Sequence, residues 1–202
     1  MHSGSYYFNY KKTFSIVLMA VANADADFLM VDIGTNGRVS DGGVFSRTKF
    51  FDKLSQGDLD LPMPEKYGNE ELPFVFLGDD AFPLRPDLLK PYKHEKLLPA
   101  QEVFNQALSG ARAKVEQSFG ILSSRFRVLF TTILLSPEKA TKIVLACCYL
   151  HNFLRKSMGA VYTSLDTHDQ EKTLLPLERT MARNSTSEAK LIRDKFCKAV
   201  NE

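Results

Sequence analysis

The sequence is poor in cysteine, has almost no net charge and lacks a long apolar run. Its three cysteines are an odd number and two are adjacent, so they offer neither a disulfide framework nor a C-x-x-C metal site. A reducing intracellular compartment fits this usage best. The 26 basic and 24 acidic residues leave a net charge of +2, so an anionic partner would have to be bound by local clusters. The apolar run over residues 14–22 is too short to span a bilayer, and we expect no membrane partner.

The composition of the 202 residues is typical of a folded, soluble protein. Apolar residues make up 44% and charged residues 25%, far from disordered or collagen-like sequences. The length is sufficient for one domain with a buried core. After residue 159 the chain turns polar. We therefore predict one domain over residues 1–158, followed by a polar connection and a carboxyl-terminal helix over residues 159–202.

Two apolar segments near the amino terminus predict a β-hairpin. Residues 14–23 are rich in bulky and β-branched side chains, and a second strand is expected over residues 28–33, after a turn. The first segment has another interpretation, because Lys11 and Lys12 precede it and small residues follow it up to Ala24. That order resembles a signal peptide, which would make the chain a secreted protein cleaved after Ala24. We favour the strand, since four aromatic residues stand ahead of the lysines.

The rest of the chain is predicted to be mostly helical. Hydrophobic periodicity and the positions of glycine and proline predict a helix capped by Ser40 or Asp41, a loop over residues 56–71 and a buried strand over 74–77. Two long helices are predicted over 101–119 and 137–156. An extended connection over 160–184 is expected to lead to a final helix, which follows a capping box of Ser185 and Glu188. This alternation predicts an α/β or α+β fold in which helices pack on a mixed sheet.

Two acidic residues are candidates for a divalent metal site. Asp79 comes directly after the buried strand, at the edge where open α/β sheets place their sites, and Glu116 lies on a predicted helix. Carboxylates are the hard oxygen ligands that Mg²⁺ and Mn²⁺ prefer. A structural interpretation stays open, in which Asp79 stabilises a turn and Glu116 pairs with Arg112 one helical turn away.

Basic residues around Glu116 are candidates for contacts to phosphate groups. They are Arg112, Lys114, Arg125 and Arg127. Such a patch would bind DNA in a salt-dependent, sequence-independent way, whereas the alternative is a solvated helix face with ion pairs. No helix-turn-helix, zinc-finger or basic-zipper pattern is present, so sequence-specific DNA binding is not predicted.

A histidine and two cysteines on an apolar helix invite a metal-site hypothesis. His151 follows Cys147 and Cys148 in a stretch with helical periodicity. We interpret the histidine as a packed, hydrogen-bonded residue and the cysteines as small buried apolar residues.

Five segments resemble, in order and spacing, the DDE endonuclease domain of Harbinger-type (PIF-type) transposases and their domesticated relatives. They are residues 3–11 (SGSYYFNYK), 40–45 (SDGGVF), 78–84 (GDDAFPL), 112–120 with 125–127 (RAKVEQSFG, RFR) and 150–153 (LHNF). The resemblance covers residues 3 to about 156, and residues 188–196 are similar to the family's carboxyl-terminal helix. The order of the segments, rather than any single one, carries the identification.

The resemblance implies a ribonuclease-H-like fold, a mixed sheet flanked by helices. It also implies hydrolysis or transfer of DNA phosphodiesters by an Asp, Asp, Glu triad with two divalent metal ions, Mg²⁺ or Mn²⁺. Asp79 matches the second Asp of the triad and Glu116 matches its Glu. Asp41 matches another acidic position, as an accessory carboxylate, with a helix cap as the alternative. The implied partners are DNA and a Myb-like DNA-binding protein, and the implied location is the nucleus, with the cytoplasm as a second location.

The first Asp of the family triad has no counterpart in this sequence. In the family it belongs to a D-G-x-H-like motif upstream of the segment that here begins at Ser3. We therefore expect the first central strand to be missing, in either an amino-terminally truncated nuclease or a domesticated form without catalysis. Asp25, Asp27 and Asp32 belong to the hairpin and are not expected to replace it. The functional alternatives are a metal-dependent DNA endonuclease and a non-catalytic remnant that binds DNA or protein.

Overall fold

The computed structural model describes residues 6–9, 12–37, 39, 41–163 and 185–202, which form a mixed α/β structure. The elements in chain order are β1 (Ile16–Ala22), β2 (Phe28–Asn36), α1 (Asp41–Phe45), α2 (Lys49–Gln56), β3 (Glu65–Tyr67), β4 (Glu70–Leu72), β5 (Phe76–Leu77), β6 (Leu88–Leu89), α3 (Pro99–Arg125), α4 (Pro137–Met158), α5 (Ala160–Thr163) and α6 (Ser187–Val200). Among the described residues, no helix has the length and apolar character needed to cross a bilayer.

The chain divides into two compact units, each built from two separate parts of the sequence. Unit 1 comprises Met1–Val39 and Ala113–Glu178, and unit 2 comprises Ser40–Arg112 and Arg179–Glu202. Helix α3 therefore begins in unit 2 and ends in unit 1. The domain boundary at residue 158 stays a prediction. The connection expected to be extended over residues 160–184 begins instead with helix α5, and its residues 164–184 lie outside the described residues.

The amino-terminal hairpin forms the sheet of unit 1. Strands β1 and β2 are antiparallel, with Leu18 opposite Ile33. Burial of apolar surface holds this sheet to the carboxyl-terminal part of α3 and to α4. The buried side chains of this core are Phe28, Leu122, Val144, Cys147 and Cys148. The predicted hairpin and the burial of both cysteines are confirmed.

Each unit contains a helical asparagine that satisfies both backbone polar groups of an aromatic residue. In unit 1, Phe28 donates its N–H to Asn152 Oδ1 at 2.9 Å, and Asn152 Nδ2 donates to the Phe28 carbonyl at 2.8 Å. In unit 2, Asn105 makes the same pair of bonds with Tyr92, at 2.8 and 3.0 Å. Buried backbone groups need hydrogen-bond partners. Here the asparagine side chains take the part that a neighbouring strand usually plays, and they attach a strand or loop to a helix.

Replacement of Asn152 by alanine is expected to destabilise the protein by about 2 kcal/mol, because the buried backbone groups of Phe28 lose both partners. The free energy of unfolding, measured by urea titration, checks this. Lys139→Ala on the exposed face of the same helix is the matched control, with an expected change within about 0.5 kcal/mol. Equal stability of the two variants would contradict the anchoring role of Asn152.

Unit 2 is a helical core with two small sheets. Strands β3 and β4 are antiparallel, whereas β5 and β6 are parallel. Helix α6 and the start of α3 pack around a core of buried residues, which are Leu84, Leu89, Tyr92, Phe104, Leu108, Ala189 and Cys197. The phenol of Tyr92 donates a hydrogen bond to the carboxylate of Asp194 on α6. In the described part of the chain the strands thus form three two-stranded sheets, and a wider ribonuclease-H-like sheet stays a prediction.

Several predicted elements differ from the structure in their local details. The loop expected over residues 56–71 contains β3 and β4, whose turn uses the left-handed backbone of Gly68. The single helix expected after Asp41 is two helices, and Thr48 caps the second by accepting a hydrogen bond from the Phe51 N–H. The predicted cap Ser185 is wrong by one residue, since Thr186 accepts the bond from the α6 backbone.

The two long predicted helices are confirmed but extend further than expected. Helix α3 covers Pro99–Arg125 and helix α4 covers Pro137–Met158. A 3₁₀ turn over Arg127–Phe130 follows α3. Proline at the first position of α4 suits a helix start, because the N–H that it lacks would have no partner there.

Candidate functional site

Asp79 lies in a tight turn at the carboxyl end of β5. The strand is held by its parallel partner β6, and the Gly78 N–H donates to the Leu89 carbonyl at 2.8 Å. Oδ1 of Asp79 accepts a hydrogen bond from the Ala81 N–H at 3.0 Å, which closes the turn around the carboxylate. The Asp79 side chain is only 15% exposed. The turn and the sheet therefore fix the carboxylate in one position.

Two glycines allow the backbone to pack closely around this turn. A Cβ atom on Gly78 would lie 3.0 Å from the side chain of Phe82. A Cβ on Gly42, in α1, would lie 2.9 Å from the Ala81 carbonyl oxygen. The SDGG and GDDA motifs are thus in direct contact within unit 2. Asp41 begins α1 beside this contact, its side chain lies outside what the structure describes, and its accessory role stays a prediction.

An arginine faces the second oxygen of the Asp79 carboxylate. Nη2 of Arg112 lies 3.8 Å from Asp79 Oδ2, and the two side chains are 20% and 15% exposed. This distance is longer than a hydrogen bond, so the contact is an ion pair without a direct N–H···O bond. Partial burial limits screening by salt. Asp79 therefore has a cationic partner within the protein itself.

A lysine that the sequence analysis did not single out lies at the same turn. Nζ of Lys90, immediately after β6, donates to the main-chain carbonyl of Asp80 at 3.1 Å. Burial lowers the pKa of Lys90, although the carboxylates of Asp80 and Asp79 act in the opposite direction. The only sequence signal for this residue is its position next to the apolar pair Leu88–Leu89, which forms β6.

The remaining candidate residues lie in unit 1. Glu116 is exposed on α3, four residues after Arg112. Lys114 is also exposed, and its Nζ lies 3.5 Å from Gln117 Oε1. Arg125 donates from Nε and Nη2 to the Tyr162 carbonyl, so part of its guanidinium supports α5 rather than facing solvent. Arg127 begins the 3₁₀ turn that follows α3. The structure therefore brings Arg112 to Asp79 within unit 2, whereas Lys114, Arg125 and Arg127 belong to unit 1.

His151 is a structural residue, as the sequence analysis predicted. It is completely buried, with its Nδ1 3.1 Å from the Tyr162 hydroxyl and its Nε2 2.8 Å from the Ala26 carbonyl. Burial lowers the pKa of His151 and raises the pKa of Tyr162 to about 12. Asp27 in the nearby hairpin turn pairs with Arg155 at 3.0 Å and therefore has a structural partner of its own.

The donor groups at the Asp79 turn can be compared with the needs of a divalent cation. Within the described ranges, no three His, Cys, Asp or Glu side chains come together as a metal-binding group. Magnesium is commonly held by one or two carboxylates together with waters and substrate phosphates. The Asp79 carboxylate offers an oxygen ligand of the kind that Mg²⁺ or Mn²⁺ prefers, and Arg112 is a cation already next to that carboxylate.

Comparison with known proteins places the sequence among transposon-related proteins. It matches the family described as DDE superfamily endonuclease over residues 1–152. It is 28% identical over 198 residues to "Protein ALP1-like" of Arabidopsis thaliana, covering 95% of this chain and 44% of that protein. It is 38% identical over 99 residues to "Putative nuclease HARBI1" of Homo sapiens, covering 48% and 28% of the two chains. For the protein of that name in Xenopus laevis the identity is 29% over 180 residues, with 85% and 48% covered.

The chain spans less than half the length of these curated relatives. No solved structure matches it.

Proposed function

The chain belongs to the DDE superfamily endonuclease family, and on that premise we propose that it is a transposase-derived endonuclease that cleaves DNA phosphodiester bonds with Mg²⁺ or Mn²⁺. The proposal includes a ribonuclease-H-like arrangement of the strands and helices of the chain. One observation supports it above the others: the Asp79 carboxylate is held at a strand end by the Ala81 N–H, with Gly42 and Gly78 packed closely around the turn. A rigid carboxylate at such an edge suits metal-dependent chemistry.

We assign Asp79 and Glu116 as the metal ligands and Asp41 as an accessory carboxylate. Glu116 follows Arg112 by four residues on α3, so the two side chains share one face of that helix. When bound, the divalent cation would activate the attacking water or 3′-hydroxyl and stabilise the leaving oxygen. The chain itself orients Asp79 through the turn and through the β5–β6 pairing.

Arg112, Lys114, Arg125 and Arg127 are the proposed contacts to DNA phosphates. Lys114, Arg125 and Arg127 are exposed, which suits contact with a large polyanion. Arg125 also binds the Tyr162 carbonyl through Nε and Nη2, so α5 helps to orient its guanidinium. Because these contacts address phosphate, binding should fall with salt and depend little on sequence. A Myb-like partner protein would supply sequence selection. The proposal includes a nuclear location, which suits a DNA substrate, with the cytoplasm as a second location.

A second candidate function is a non-catalytic module that binds DNA or protein. It is favoured by the ion pair between Arg112 and Asp79, which satisfies the charge of the carboxylate without metal. On this alternative the basic residues bind DNA and the Asp79 turn is structural.

A cleavage assay separates the two functions. The purified chain is incubated with supercoiled plasmid DNA in Mg²⁺, in Mn²⁺ and in EDTA. Metal-dependent nicking or linearisation that EDTA abolishes is the result expected of the endonuclease. Salt-sensitive DNA binding in a gel-shift experiment, with no cleavage under any metal, would instead support the non-catalytic module.

A further inference from the structure

The charges around Asp79 are unusual for a metal ligand. Arg112 faces Oδ2 at 3.8 Å, and the Lys90 ammonium lies on the Asp80 carbonyl, close enough for its charge to interact with Asp79. All these residues belong to unit 2. Two cationic side chains therefore stand at a turn where a divalent cation would be repelled by like charge.

We propose that Arg112 is the resident counter-ion of Asp79 and that its guanidinium competes with divalent cations for this carboxylate. Oδ1 is already used by the Ala81 N–H, so Oδ2 is the oxygen over which arginine and cation compete. The proposal rests on the proposed role of Asp79 as a metal ligand, and it makes Arg112 a positioning residue that sets metal affinity.

The geometry explains why the arginine can be displaced. At 3.8 Å the guanidinium makes no direct hydrogen bond to Oδ2, so the contact with Oδ2 that a cation would replace is a charge contact. The turn itself does not depend on Arg112, because the Ala81 N–H and the Gly78 N–H hold it through other bonds. Removal of the positive charge should therefore strengthen metal binding without opening the turn.

The test measures Mn²⁺ binding directly, by isothermal titration calorimetry and by the electron paramagnetic resonance signal of free Mn²⁺. Arg112→Gln is expected to lower the Kd for Mn²⁺ at least about tenfold, since a like charge next to the ion is lost. Arg112→Lys, which keeps the charge, should stay within about threefold of the unmodified chain. Arg47→Gln, an exposed arginine of the same unit, is the matched control and should leave the Kd unchanged.

The increase in Mn²⁺ affinity must also depend on Asp79. The double variant Asp79→Asn with Arg112→Gln should lose the added affinity, and persistence of the gain would overturn the proposal because the ion would be bound elsewhere. An unchanged Kd in Arg112→Gln would overturn it as well. Tighter Mn²⁺ binding without plasmid cleavage by any variant would support this competition and count against the endonuclease. Cleavage by the unmodified chain, with no tighter Mn²⁺ binding in Arg112→Gln, would support the endonuclease and overturn the competition.

A second measurement uses the unmodified protein. The guanidinium ¹⁵N resonance of Arg112, assigned by its loss in Arg112→Lys, should shift on titration with Mg²⁺, because the side chain loses its carboxylate partner. An unshifted resonance at Mg²⁺ concentrations that saturate the site would overturn the proposal.

Discussion

Replacement of Asp79 by asparagine is expected to lower metal-dependent plasmid cleavage at least about 100-fold. Loss of groups that only support metal ligands costs 10- to about 100-fold, so loss of a ligand's charge should cost no less. Asparagine keeps the Oδ1 acceptor that binds the Ala81 N–H, so the turn should remain while the negative charge of the proposed metal ligand is removed. Initial rates of nicking in Mn²⁺ measure the effect, and Glu116→Gln should cause a loss of similar size.

Matched acidic neighbours serve as controls for these two variants. Asp80→Asn removes a charge from the adjacent residue, and Glu102→Gln removes an exposed carboxylate from the first turn of α3. Both should retain cleavage within a few-fold of the unmodified chain. Cleavage that survives Asp79→Asn but fails in Asp80→Asn would show that the wrong carboxylate has been assigned.

Replacement of His151 by alanine is expected to destabilise the protein by about 4 kcal/mol. The imidazole is fully buried, and its removal leaves a cavity and also deprives the Tyr162 hydroxyl and the Ala26 carbonyl of their partners. Denaturant titration followed by circular dichroism measures the loss. Tyr149→Ala on the same helix removes a side chain that is 69% exposed and should change stability by less than about 1 kcal/mol.

The pH dependence of stability provides a separate check on His151. Burial lowers the pKa of His151 in the folded state from its ordinary value of 6.5. This outweighs the opposite effects of the hydrogen bond with the Ala26 carbonyl and of the Asp27 charge, while Arg155 adds to the lowering. The unfolded chain therefore takes up a proton near pH 6.5 that the folded chain does not, and stability falls as the pH drops below this value. The His151→Ala variant lacks the imidazole and takes up no such proton on unfolding. The difference in free energy of unfolding between the unmodified protein and the His151→Ala variant should become smaller below pH 6.5. A constant difference down to pH 5 would contradict a buried neutral histidine.

Elements with a clear period or composition could be predicted from the sequence, whereas very short ones could not. The hairpin and helices α3 and α4 carry enough residues for β-branched content and helical spacing to be visible. Strands β3 to β6 have two or three residues each, too few to establish a period, and they exist because tertiary contacts pair them. The adjacent residues Ser185 and Thr186 have the same capping chemistry, so the sequence could not decide which one starts α6.

The candidate site was predicted only in part, because a single sequence shows local patterns and not contacts between distant residues. An acidic residue after a short apolar run is a local pattern, and Asp79 could be found from it, although the strand β5 covers only Phe76–Leu77 and is not buried as the sequence predicted. The approach of Arg112 to Asp79, the Lys90 bond to the Asp80 carbonyl and the packing of Gly42 on Ala81 all join residues far apart in sequence. Such contacts leave no periodic signal in a single sequence, so only the three-dimensional structure reveals them.

The paired bonds of Asn152 and Asn105 have a consequence for solvent exchange. The amide protons of Phe28 and Tyr92 are held by side chains of helices rather than by neighbouring strands. Exchange of either proton with deuterium requires the helix to separate from that backbone segment, while fraying of a strand edge is not sufficient. Each of the two units thus contains one amide whose exchange rate reports its own opening.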